Sequence, residues 1–86
     1  MPKPTLIYSP NDYESAAMFV RKIGRRIAKF RVENGITQKE FCLDIGCYNQ
    51  PTIACKEHSK YNEFNLRDLY LICNAYNLPL DYFFKD

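Results

Sequence analysis

Apolar residues recur along most of this chain at steps of three and four, the spacing of one helix face. From Tyr13 they fall at Ala16, Ala17, Val20, Ile23, Ile27 and Phe30. Ser9-Pro10-Asn11-Asp12 ahead of them has the form of a helix start, with Ser9 as N-cap and Pro10 in the first position. Asn34-Gly35 supplies a left-handed stop. The spacing predicts one long first helix, or two stacked pieces breaking near Ala17. Thr37-Gln38-Lys39-Glu40 then reads as a capping box, followed by Phe41, Cys42 and Ile45 on a helix of about two turns that ends at Gly46. Cys47-Tyr48-Asn49 forms a tight turn, and Pro51 sits in the first turn of a third helix reaching Glu57 or His58. A polar loop covers Ser59–Asn65. Leu66, Leu69, Ile72, Cys73 and Tyr76 mark a fourth helix closed by Asn77, and Leu78–Phe84 a final short helical turn. Only Thr5-Leu6-Ile7-Tyr8, in an extended arm over residues 1–9, leans towards a strand. The expected class is all-α: a compact unit of five helices over residues 10–86, with a short N-terminal arm.

Length and charge narrow the function. With 86 residues, the chain suits one small domain and not a multidomain enzyme. No apolar run approaches the roughly 20 residues of a membrane span, and no basic-then-apolar leader is expected, since the early apolar stretch is only Leu6-Ile7-Tyr8. The net charge of +2 conceals an asymmetry. Residues 1–35 hold seven basic and three acidic side chains, net +4; residues 36–86 hold five and seven, net −2. Arg21, Lys22, Arg25, Arg26 and Lys29 load the first helix. They either solvate it or add salt-sensitive affinity for phosphates.

Cys42, Cys47, Cys55 and Cys73 lack the close pairing of a structural zinc site. They read as reduced, small hydrophobic side chains in a cytoplasmic protein. No metal and no cofactor is expected. His58, three residues after Cys55, has no third group to orient it for nucleophilic catalysis.

Two short helices joined by a tight glycine turn make a helix-turn-helix. The first offers its N-terminal amides to a phosphate, and the second lays its first turn against base edges in the major groove. The stretch Ile23–Arg31, then Asn34-Gly35-Ile36-Thr37-Gln38-Lys39-Glu40-Phe41-Cys42 and Ile45-Gly46, resembles the Cro/CI-like (XRE) helix-turn-helix family. So does Leu66–Phe84, through Leu69, Ile72, Cys73, Ala75, Leu78 and Leu80-Asp81-Tyr82-Phe83. The resemblance spans about residues 20–84. It implies a five-helix fold and a non-enzymatic regulator, a repressor, that binds a pseudo-palindromic operator in double-stranded DNA as a homodimer.

The resemblance makes Gln38 a phosphate-binding glutamine and pairs Arg31 with Glu57. Thr37, Lys39, Lys56 and Lys60 are further phosphate candidates. Tyr48, Asn49, Gln50 and Thr52 lead into the recognition helix and are candidates for reading bases; a plain helix cap is the other reading of Asn49 or Gln50. Matching Ile53 and Glu57 to the family pattern needs one extra residue after Gly46 and another before Leu66. It also leaves Lys56 where a core hydrophobe belongs. The ungapped alternative turns Thr52 and Cys55 inward, and the two registers differ by about 100° of helix rotation. Leu80, Tyr82, Phe83 and Phe84 are candidates for a dimer interface, where aromatics are enriched; core packing is the other reading. A protein-interaction role, such as an antitoxin binding a small partner protein through its aromatic C-terminus or arm, is the second hypothesis. A metal or redox sensor is the third.

Overall fold

The computed structural model describes residues 10–59 and 62–85. Four α-helices follow one another: α1 Pro10–Glu33, α2 Gln38–Ile45, α3 Gln50–His58 and α4 Leu66–Ala75. A 3₁₀ turn, Tyr82–Phe84, is the last element among the described residues. No strand occurs among the described residues. The arm of residues 1–9, the Ser9 cap and Lys60 lie outside them.

Local chemistry accounts for most boundaries. α1 is continuous through Ala17. It ends where Gly35 takes φ 67° and Ile36 N–H donates to the Arg31 carbonyl at 2.9 Å. Both halves of the Thr37 capping box are present. Glu40 N–H donates to Thr37 Oγ1 at 3.0 Å, and Thr37 N–H to Glu40 Oε1 at 3.1 Å. Gly46, at φ 77°, closes α2. α4 has a second capping box, in which Asn65 Oδ1 accepts from Asp68 N–H at 2.8 Å and Asp68 Oδ2 from Asn65 N–H at 3.1 Å.

The fifth expected helix is only the 3₁₀ turn. Asn77 at φ 55° has already turned the backbone left-handed, and Pro79 offers no N–H. What remains closes with Tyr82 N–H on the Pro79 carbonyl and Phe84 N–H on that of Asp81. Phe83 anchors the turn in the core, and Arg26 Nη1 donates to its carbonyl at 2.8 Å.

The core comprises Ile23, Ile27, Phe41, Cys42, Ile45, Ile53, Phe64, Leu69, Ile72, Cys73 and Phe83. Phe64 comes from the stretch expected to be a polar loop. Phe30 sits edge-on to Tyr76, Tyr82 and Phe83, with centroids 5.5–5.8 Å apart. Gly24 sets the approach of α1 to the end of α3. A Cβ there would lie 3.1 Å from the carbonyl oxygens of both Lys56 and Glu57. That close crossing brings Arg31, about two turns further along the same face of α1, to the acid of α3.

Candidate nucleic-acid interface

α3 is placed by two buried charged clusters, one on each side. Glu57, 3 % exposed, accepts from Arg31 Nε at 2.7 Å and Nη2 at 3.2 Å, and from Gln38 Nε2 at 3.0 Å. Arg31 Nη1 also donates to the Ile36 carbonyl at 2.9 Å. One carboxylate thus ties the last turn of α1, the first residue of α2 and the last turn of α3. Bidentate guanidinium–carboxylate geometry fixes orientation as well as charge.

The second cluster joins α3 to α4. Lys56 is 2 % exposed and Asp68 0 %. Lys56 Nζ donates to Asp68 Oδ2 at 2.8 Å and to the Glu63 carbonyl at 3.1 Å, and lies 4.4 Å from the centre of the Tyr48 ring. Tyr48 O–H donates to Asp68 Oδ1 at 2.6 Å. Every buried side-chain polar atom among the described residues has a partner, as burial of an ion pair requires.

This network holds the turn between α2 and α3. Tyr48 adopts φ 70°, an uncommon conformation for a bulky residue. Its ring under the ammonium and its hydroxyl on Asp68 anchor it there. Asn49 caps α3, its Oδ1 accepting from Thr52 N–H at 3.0 Å and Thr52 Oγ1 at 2.7 Å. Ile53, Lys56 and Glu57 face inward, while Thr52 and Cys55 are half-buried. The register is the one that needs an extra residue after Gly46.

The expected site residues therefore separate. Lys56 is corrected: its ammonium is enclosed by Asp68, the Glu63 carbonyl and Tyr48, so it cannot reach a phosphate. Phe83 is corrected too, since it is 2 % exposed inside the core and not on an interface. One amide hydrogen of Gln38 goes to Glu57, and the Thr37 hydroxyl to its cap. Lys39, Tyr48, Asn49 and Gln50 are exposed around the start of α2 and α3; Leu80, Tyr82 and Phe84 are exposed at the C-terminus. The structure brings Arg31 and Glu57 together. Of the α1 cations, Arg21, Lys22 and Arg25 are exposed, and Lys29 lies 3.7 Å from Glu33. Asp68 was missed, although its place three residues after Asn65 is a capping signal.

All four cysteines are free. Burial pushes the thiols of Cys42, Cys47 and Cys73 above their ordinary 9.0, which keeps them protonated at neutral pH and poor as nucleophiles. Among the described residues, no three His, Cys, Asp or Glu side chains converge to hold a metal, and no helix is long and apolar enough to cross a membrane.

Two phenols are displaced upwards from 10.0. Tyr48 is raised by its hydrogen bond to Asp68, then by burial. Tyr76 is raised further, by burial and then by donation to Asp44 Oδ2 at 2.7 Å. Both hold their protons more tightly folded than unfolded. Their stabilisation is therefore complete below about pH 10 and is lost as pH rises above it. Urea melts between about pH 9 and pH 11 should show a falling midpoint. The fall should be shallower in Tyr76→Phe, and an unchanged slope in that variant would contradict the assignment.

No protein-family model matches the chain, and no curated protein or solved structure matches it significantly.

Proposed function

We propose that this protein is a sequence-specific DNA-binding regulator of the helix-turn-helix type, a cytoplasmic repressor that binds a pseudo-palindromic operator as a homodimer. The observation that supports it best is the build of α2, the turn and α3. Two short helices meet at a left-handed glycine, and the start of the second presents Tyr48, Asn49, Gln50 and Pro51 to solvent. In this reading, α2 points its free N-terminal amides and Lys39 at a phosphate. α3 enters the major groove by its first turn, where the Gln50 amide can bond both edge groups of an adenine. Asn49 and Thr52 are occupied with each other and serve mainly to fix the start of α3. The resemblance to the Cro/CI-like family points the same way. The buried clusters suit this task because they hold α3 at one rotation.

Selection of bound sequences from random DNA tests it. A two-fold symmetric motif is expected, with affinity falling steeply between about 50 and 200 mM salt. Gln50→Ala should cost about 1–3 kcal/mol at one base pair of each half-site and relax the preference there. No salt-sensitive binding at about 50 mM would end this reading. A second reading, a protein-interaction module such as an antitoxin, is favoured by one observation, the exposed apolar side chains of α4 and the C-terminal turn.

A further inference from the structure

The apolar stripe of α1 outruns the core. Ile23, Ile27 and Phe30 lie on it, and helical spacing carries it back to Ala16, Phe19 and Val20. Burial does not follow: none of the α1 residues from Tyr13 to Lys22 is buried, Ala16 is exposed and Phe19 is 47 % exposed. Beside this ridge lies a groove of about 370 Å³ lined by Leu66, Leu69, Tyr70, Leu80, Asp81 and Phe84. Ridge and groove meet where the Phe19 and Phe84 rings lie 5.8 Å apart. Leu66 is 79 % exposed and Leu80 60 %.

The exposed apolar area of Phe19, Leu66, Tyr70, Leu80 and Phe84 is on the order of 500 Å², at the upper end of what a monomer leaves in one piece. It supplies well over half of the roughly 800 Å² per partner of an ordinary stable interface. α1 is one unbroken helix, so the ridge before Phe19 cannot fold back into its own groove. Asp81, the charged residue among those lining the groove, pairs with Lys85 at 3.1 Å, so the groove itself sets no lone charge against its symmetry mate.

We propose that a second copy of the chain covers this face, with the Ala16–Phe19 ridge of each copy seated in the other's groove between Leu66, Leu80 and Phe84. A two-fold axis near the Phe19–Phe84 pair satisfies both contacts at once and leaves neither ridge nor groove open. This gives the dimer of the proposed regulator its surface and rests on that reading only for its purpose. The test uses no DNA, so protein that stays monomeric would overturn the pairing, while DNA binding keeps its own separate test.

Sedimentation equilibrium of the full chain between about 1 and 200 µM should give the mass of two chains. Ala16→Lys on the ridge and Leu80→Glu in the groove should each weaken pairing about 30-fold or more, with unchanged circular dichroism. Leu43→Glu, at an equally exposed leucine on α2, should not. Mixing the Ala16→Lys and Leu80→Glu proteins should restore dimers, since one of the two contacts then sets lysine against glutamate and the other is native. Wild-type protein that stays monomeric at about 200 µM would overturn the proposal. So would a Leu43→Glu protein that fails to pair, or a mixture that does not recover.

Discussion

Asp68→Asn is expected to destabilise the protein by about 3–5 kcal/mol, because it strands the Lys56 ammonium without its anion in the interior. The loss is a large part of the few to roughly 13 kcal/mol available to a chain of this size. The variant should melt far below the native protein or fail to fold at 37 °C. Lys56→Met should cost a similar amount, leaving the Asp68 carboxylate with only Tyr48 O–H and Asn65 N–H as donors. The triple variant Lys56→Met, Asp68→Leu, Tyr48→Phe removes every side chain of the cluster that would be left unpaired, and only the Glu63 carbonyl, on an exposed residue, loses a donor. It should regain most of the stability, since well-packed apolar replacements of buried ion pairs are often neutral or better. It lacks the half of the α4 capping box supplied by Asp68, so about 1 kcal/mol should stay lost. Urea denaturation of the four proteins at neutral pH decides the matter. A cost below about 1 kcal/mol for Asp68→Asn would mean that Lys56 is solvated.

Arg31→Ala acts on the other buried cluster of α3 and should cost about 3–5 kcal/mol as well. Glu57 would remain buried with Gln38 as its only donor from a side chain. Arg31→Lys should recover part of this and no more, because an ammonium cannot make the two parallel bonds of the guanidinium. Glu57→Gln in the Arg31→Ala background should raise stability, since it removes the uncompensated charge. Strictly additive effects in that double-mutant cycle would contradict the pairing. Both clusters hold the same helix, so the folded fraction of either variant should also bind operator DNA more weakly if α3 reads bases.

Much of the backbone plan was legible in the chain because its signals are local. The Thr37–Glu40 capping box, the left-handed Gly35 and Gly46 and the run of apolar residues from Ile23 to Phe30 each act within a few residues of themselves. Phe64 was hidden by its polar neighbours, and the Leu78–Phe84 segment looked helical only because its large apolar residues are dense. Tyr48 gave no hint of its left-handed backbone, which depends on Asp68 twenty residues away. Lys56 offered the clearest contradiction, a charge on an apolar face. The register that puts it inward is tolerated because Asp68, the Glu63 carbonyl and the Tyr48 ring offset the desolvation of the ammonium, and those partners come from a different helix and from loops.

The all-α class, most of the helix ends and the glycine turn between α2 and α3 can be read from the order of residues, since they follow from caps, φ preferences and periodicity. The rotation of α3, the burial of Lys56 and Phe83, and which aromatic groups stay outside are set by packing in three dimensions. Those outcomes depend on pairing charges and filling space between residues far apart in the chain, where no local pattern carries the information.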